Sequence, residues 1–368
     1  MVKFGEIRLI SNALILHIHN GGFLFGQNRG KQLMKKMWQL WLTAVLAVLL
    51  LTACGGADDN KDKGTDNNTA TTEQSDKDNG SGSEASEDTE AVTYPMTIKD
   101  TTGVEITLEK APETIISTLP SNTEILFALG LDDEIVAVDD YSDFPEAANE
   151  KEKIGDMNLN IEKIISMNPE IVFGHEMSLP GSEAGYQQIR DAGIPVYIVK
   201  NAMNFDETYS TIEAIGEATG KPKEAAKIVA DMKAKVDEVV AKTADIETPK
   251  RVIVETSDVP EIYVPGKNTF MQEILDKIGA ENVVTEEGWV MISPEEIVKQ
   301  NPDVMVIMHD YTPDVVNSVK KRDGFADITA VKEDQVVQVD SNLTSRTGPR
   351  LSEGLEEVAK AVYPEAFK

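Results

Sequence analysis

The chain is predicted to be an α/β protein built as two similar lobes joined by one long helix. Three observations carry this reading. Short apolar strands alternate with helical patterns over most of the chain, which indicates a mostly parallel sheet. A helix, an Asn-Pro stop, an acid and a buried strand occur twice: Ile161-Glu-Lys-Ile-Ile-Ser-Met-Asn-Pro-Glu-Ile-Val-Phe173 returns as Pro294-Glu-Glu-Ile-Val-Lys-Gln-Asn-Pro-Asp-Val-Met-Val306, at an offset of 133 residues. Between the copies runs an uninterrupted helical pattern from Lys223 to about Lys242, long enough to span roughly 30 Å.

The amino-terminal elements are of a different kind. Residues 1–33 fit no targeting signal and read as an over-extended start, because Met34 opens a complete one. Over 34–53, Lys35 and Lys36 precede an apolar run from Met37 to Leu50 and the small residues that close a secretory leader. The run is short for a membrane span. Leu51-Thr52-Ala53-Cys54 has the form of a bacterial lipobox, and Cys54 is the only cysteine in the chain. Cleavage before Cys54 and lipidation of its thiol would anchor the protein to the outer face of the cell membrane and leave no disulfide. Residues 54–93 are dominated by Asp, Glu, Asn, Thr, Ser, Gly and Lys, and from Gly55 to about Ala91 they hold no aromatic or large aliphatic residue. Such a stretch cannot offset its ordering entropy and serves as a charged tether.

An amino-terminal lobe is expected over 94–204. Met96 to Leu108 alternates apolar and polar residues around Asp100-Thr-Thr-Gly103, a β-hairpin. A strand at Ile115–Thr118 leads through Pro120 into a helix whose start, Ser121-Asn122-Thr123-Glu124, reads as a capping box and whose end is Gly130. Strands at Ile135–Val138, Ile171–Phe173 and Val196–Val199 alternate with helices at Ile161–Met167 and Gly185–Ala192. Residues 205–247 are helical and contain the connecting helix. The carboxy-terminal lobe, 248–368, repeats the alternation: strands at Arg251–Glu255, Val304–Met308 and Val336–Val339, helices at Asn268–Ile278, Pro294–Gln300 and Pro313–Lys321, and a last helix from Leu351. Two Rossmann-like lobes on one rigid helix leave a cleft between them, where ligands bind.

The net charge of −29 argues against nucleic acid and against direct contact with anionic lipid. No Gly-x-Ser-x-Gly elbow, P-loop or glycine-rich dinucleotide fingerprint is present, so no catalytic residue is assigned and the chain is not expected to be an enzyme. His175 and His309 each follow a strand, the edge where α/β sheets place ligands. With Glu176 and Asp310 they would supply four metal ligands only if they met across the cleft; otherwise they are polar loop residues, and no metal site is assigned. Tyr141 and Phe144 lie on a loop after a strand, Tyr263 on another loop, and Trp289 just before a helix. Aromatics on loops of both lobes suit a broad, flat, partly apolar ligand. Arg346 and Arg350, in a late loop, suit amides, carboxylates or phosphate.

Thr118-Leu-Pro-Ser-Asn-Thr-Glu-Ile-Leu-Phe-Ala-Leu-Gly130, Asp140-Tyr-Ser-Asp-Phe-Pro145, Asn160-Ile-Glu-Lys-Ile164 with Asn168-Pro169, and Ser345-Arg-Thr-Gly-Pro-Arg350 together resemble one family. It is the iron-siderophore and vitamin B12 substrate-binding proteins of ABC importers, and the likeness covers nearly all of 94–368. The resemblance implies a monomeric, lipid-anchored receptor with no cofactor of its own. It would deliver a small-molecule metal chelate to a permease dimer with its ATPase. The chain looks most like the cobalamin-binding branch, with a ferric-siderophore receptor as the alternative and a haem-binding protein or surface enzyme behind that. In that branch the corrin sits between the lobes, and the matching positions are Pro120, Ser121, Asn122, Tyr141, Tyr263, Trp289, Asn342 and Arg346. The branch can carry a further tryptophan where this chain has Asp156 or Met157. One glutamate per lobe docks on permease arginines in the family; the matching residues are Glu162 and Glu295, each six residues before the Asn of its Asn-Pro stop.

Overall fold

The computed structural model describes residues 92–368; the expected leader, the anchor Cys54 and the acidic tether lie outside the described residues. The chain enters by an antiparallel hairpin, β1 (Met96–Lys99) and β2 (Glu105–Leu108), turned at Gly103 with φ +87° as the Asp100–Gly103 pattern requires.

The first lobe is a five-stranded, wholly parallel sheet. Its strands are β3 (Ile115–Ser117), β4 (Ile135–Val138), β5 (Glu152–Lys153), β6 (Ile171–His175) and β7 (Val196–Val199), in the order β5-β4-β3-β6-β7. The helices α1 (Pro120–Ala128), α2 (Ile161–Met167) and α3 (Leu179–Asp191) connect them. Then come α4 (Phe205–Ala218) and the connecting helix α5 (Pro222–Thr243), 22 residues long, or about 33 Å. The second lobe contains β8 (Arg251–Glu255), β10 (Glu281–Asn282), β12 (Val304–Ile307) and β13 (Val336–Gln338), again all parallel, in the order β10-β8-β12-β13. A separate antiparallel pair, β9 (Ile262–Pro265) with β11 (Trp289–Ile292), belongs to the same half. Helices α6 (Phe270–Lys277), α7 (Pro294–Gln300), α8 (Val315–Lys320), α9 (Thr329–Lys332), α10 (Ser341–Ser345) and α11 (Leu351–Val362) complete it.

The sequence repeat is a structural repeat. Both copies place Asn at the helix end in the left-handed region, Asn168 at φ 48° and Asn301 at φ 47°, directly before Pro. Asparagine tolerates that conformation, and proline cannot continue the helix. Ile164 and Ile297 are the buried anchors at equivalent positions. The following strands, β6 and β12, are fully buried, as a sheet covered on both faces demands.

Three expectations are corrected, and two strands lie beyond what the sequence pattern showed. The capping box does not form: Leu119 is the N-cap without a side-chain bond, and Pro120 occupies the first turn. Proline's fixed φ starts the helix one residue early, and Glu124 is drawn away to arginines described below. Tyr263 and Trp289 lie on strands, not loops, because Ile262–Pro265 and Trp289–Ile292 are long enough to pair with each other. α3 begins at Leu179 rather than Gly185, with Pro180 in its first turn. Gly185 is needed there for close approach: a Cβ would lie 2.7 Å from the Ile161 side chain of α2. Finally, β5 and β10 are two-residue edge strands, too short to show a pattern.

The lobes share one hydrophobic core. It runs from Ile115, Ile125 and Phe173 in the first lobe, through Ala225, Val229, Met232, Val236 and Val239 of α5, to Val252, Ile274, Leu355 and Val358 in the second. The α5 residues recur every three to four positions, a single buried face. Lys235 of α5 pairs with Glu356 of α11 at 3.0 Å. No helix among the described residues is long and apolar enough to cross a membrane.

Candidate functional site

In parallel sheets the carboxyl ends of the strands face the ligand side, and here the loops leaving those ends meet between the lobes. Glu124 of α1 is the centre of that meeting. Its side chain is only 2% exposed and holds two arginines of the opposite lobe. Arg350 contacts it through Nε at 2.9 Å and Nη2 at 2.6 Å, and Arg346 through Nη1 at 2.9 Å. Arg346 also pairs with Asp143 at 2.7 Å and donates to the Tyr141 carbonyl at 3.4 Å. The Arg350 guanidinium lies 3.6 Å from the centre of the Phe144 ring, a stacked arrangement that planar guanidinium favours. Asn342 donates to Asp143 at 3.5 Å. Arg350 is held above its usual pKa: burial opposes its charge, but the Glu124 carboxylate outweighs it.

Under this contact the α1 turn is braced by hydroxyls. The Thr123 hydroxyl lies 2.8 Å from each of the Ser117 and Ser142 hydroxyls, and Ser142 donates in turn to Asp139. Burial pushes the Asp139 carboxyl up, against the Ser142 hydroxyl and the Tyr141 amide. A recess beside it is lined by Thr118, Tyr141, Asp156, Met157, Ser178 and Ser182, among others. Asp156 and Met157 thus lie beside Tyr141 in this recess.

The second lobe contributes the face of the β9–β11 pair. Tyr263 is opposite Met291, and Trp289 opposite Pro265. Alternation along the strands brings Tyr263, Trp289 and Met291 to one side, exposed by 41%, 40% and 63%. Trp289 leans on the buried Phe270 ring, centroids 5.6 Å apart. The approach of the two strands depends on Gly266, where a Cβ would fall 2.1 Å from the Glu286 carbonyl, and on Gly288 at φ +73°.

The expected residues thus fall into two groups. Tyr141, Asn342 and Arg346 meet around the Glu124 junction, Pro120 and Ser121 start the helix that carries Glu124, and Tyr263 and Trp289 share the strand face. Asn122, expected at the ligand, is fully buried instead. Its amide donates to the Gly174 carbonyl at 3.0 Å and the Phe173 carbonyl at 3.4 Å, so it ties α1 to β6. Arg346, expected free for ligand, is engaged by two carboxylates. Glu162 and Glu295 are exposed and occupy the same first-turn place on α2 and α7, behind the capping side chains Asn160 and Ser293. His175 accepts from the Met177 amide through Nδ1 at 3.2 Å, and burial lowers its pKa to about 4. It is a neutral structural cap. No cluster of three or more His, Cys, Asp or Glu among the described residues could hold a metal ion. The sequence reading missed Glu124 as a junction. The available signal was an acid directly before the apolar run Ile125-Leu-Phe127, with Arg346 and Arg350 in a late loop suited to carboxylates.

The sequence pattern of the periplasmic binding protein family matches residues 115–343. An uncharacterized ABC transporter substrate-binding lipoprotein of Bacillus subtilis is 41% identical over 340 residues, covering 91% of this chain and all of that one. A solved structure from Staphylococcus epidermidis, described as a possible iron-binding periplasmic solute-binding protein, is 36% identical. It superposes with a TM-score of 0.64 over 69% of this chain and 100% of its own. The periplasmic vitamin B12 binding protein of Vibrio cholerae is 27% identical with a TM-score of 0.60, covering 70% of this chain and 99% of its own. With two parallel-sheet lobes on one helix, loops meeting at the strand ends, and these matches, the chain belongs to the periplasmic binding protein family.

Proposed function

We propose that the chain is the substrate-binding lipoprotein of an ABC importer, and that it captures cobalamin and presents it to the permease without transforming it. One observation supports this ligand above the others. Arg346 and Arg350, the arginines at the junction, are both consumed by Glu124 and Asp143, while Asp139 and Asp156 line the adjoining recess. An anionic ligand entering there would meet unbalanced negative charge. What remains is an aromatic platform, Tyr141 in one lobe and Tyr263 with Trp289 in the other, together with hydroxyl and amide groups. That suits a broad, neutral, amide-rich chelate. The likeness to the vitamin B12 binding protein of Vibrio cholerae points the same way.

A second reading is favoured by the higher identity to the Staphylococcus epidermidis protein, described as possibly iron-binding. A neutral ferric hydroxamate would satisfy the same charge argument, whereas a ferric catecholate would not. Calorimetric titration of the full chain with cyanocobalamin, a ferric hydroxamate and a ferric catecholate separates the readings. Tight one-to-one binding of cyanocobalamin is expected. Cobalamin silence with a hydroxamate response would move the ligand to iron, and catecholate binding would overturn the charge argument itself.

Delivery would use Glu162 and Glu295 as like charges presented to a two-fold permease, with the protein acting as a monomer. The anchor would be the lipid on Cys54. Cys54→Ala is expected to shift the protein from the membrane fraction to the medium or periplasm; retention of processed protein in the membrane would count against that anchor.

A further inference from the structure

His309 is unlike every other buried side chain described. Among the described residues it is the only one with two buried polar atoms that lack any partner, Nδ1 and Nε2 together. The residue is 3% exposed. Leaving a buried donor or acceptor unmatched is costly, so two on one ring point to a partner that arrives later. His175, the last residue of β6, does accept a bond, from the Met177 amide through Nδ1, so the two histidines differ in this respect.

Its position is suitable. His309 follows β12, and β12 lies beside β13, whose following helix α10 carries Asn342 and ends at Arg346, both reaching the opposite lobe. The His309 carbonyl accepts from Gln338 at 3.1 Å, which fixes the backbone. The ring is covered on one side by Tyr311, stacked at 4.9 Å with 28° between planes. Tyr311 itself is 64% exposed, and its one hydrogen bond is the Asp258 amide donating to its hydroxyl at 2.7 Å. A cover so exposed and so lightly held can rotate away. Burial lowers the His309 pKa, opposed by Asp258 and Asp310 and reinforced by Arg322, so at neutral pH the ring keeps a free lone pair.

We propose that His309 is an axial ligand for the metal of the bound chelate: Tyr311 swings aside, and an imidazole nitrogen replaces an exchangeable water on the cobalt of a corrinoid. The idea rests on the cobalamin reading above. The imidazole lone pair forms the cobalt–nitrogen bond, water departs as a neutral molecule with its own electron pair, and the other ring nitrogen keeps its proton. Neither the oxidation state nor the proton count changes.

The test uses the full-length protein at neutral pH with two probes, aquacobalamin, whose axial water exchanges, and cyanocobalamin, whose cyanide blocks the position. Both are expected to bind, aquacobalamin about tenfold more tightly and with the visible-band shift of a nitrogen replacing water. His309→Ala should remove the shift and bring aquacobalamin down to the affinity of cyanocobalamin. Tyr311→Ala, at an exposed position, should keep the shift and make it appear faster. Equal affinities with no shift in the unaltered protein would overturn the axial role while leaving the cobalamin reading standing. A shift that survives in His309→Ala would also overturn it. If neither cobalamin binds, the cobalamin reading falls and the axial role falls with it.

Discussion

Trp289 exposes 40% of its surface while its ring edge packs on Phe270. A large aromatic held rigid by a buried neighbour and open on its other face loses little entropy when a ligand covers it. Trp289→Ala is therefore expected to weaken chelate binding by about 10- to 100-fold, read by calorimetry; unchanged affinity would remove Trp289 from the site. His175 makes a different prediction. Burial holds its pKa at about 4, below the ordinary 6.5. Between those values the unfolded chain binds a proton that the folded chain refuses. Stability from this group is intact above about 6.5 and falls as the pH drops toward 4, by up to about 3 kcal/mol. Urea midpoints from pH 7 to 4.5 should slope downward, and His175→Asn, which can still accept from the Met177 amide, should flatten the slope.

At the scale of elements, α2 and α7 are the clearest consequence of the repeat. Each begins with a side-chain cap, carries a glutamate in the next turn, buries one isoleucine and ends at a left-handed Asn before Pro. Capping fixes the direction of each helix start, so Glu162 and Glu295 project from equivalent points of the two lobes. Both are exposed. Glu162→Ala combined with Glu295→Ala is expected to lower cellular uptake of the chelate at least tenfold, given about 1.5–7 kcal/mol for close charge pairs across an interface, and to leave its affinity unchanged. Normal uptake by the double variant would end the docking assignment. The β9–β11 pair shows the opposite case: its strands are separated in sequence by α6, and only pairing reveals that Tyr263, Trp289 and Met291 share a face.

For the whole molecule, two features resist lobe motion. One is the core that continues through α5 from lobe to lobe. The other is the Glu124 junction, in which a 2%-exposed carboxylate holds Arg346 and Arg350. A continuous helix hinges poorly, so ligand entry is expected to involve small rotation. Glu124→Ala would leave two largely buried guanidinium groups without their principal partner, although Arg346 keeps Asp143. The expected cost is about 3 kcal/mol, seen as a lowered thermal midpoint. Glu124→Gln should lose less because its amide oxygen still accepts. An unchanged midpoint in Glu124→Ala would show that the junction does not hold the lobes.

The sequence by itself determined the two parallel-sheet lobes, the connecting helix and the pairing of Glu162 with Glu295. All three follow from local periodicity and from a repeat whose Asn-Pro stops act within a few residues. It also placed His175 and His309 at strand ends, because strand ends are legible from apolar runs, although β6 runs on through His175. Only the tertiary structure decided what those side chains do. Glu124 and Arg350 are 226 residues apart, and their pairing depends on the lobes closing on each other. Asn122 looked available within its turn, yet the fold buries it against β6. The two histidines are alike in local sequence and differ in whether a neighbouring backbone amide reaches the ring. Hydrogen-bond satisfaction of buried groups depends on atoms brought together from distant segments, and a one-dimensional pattern carries no record of that.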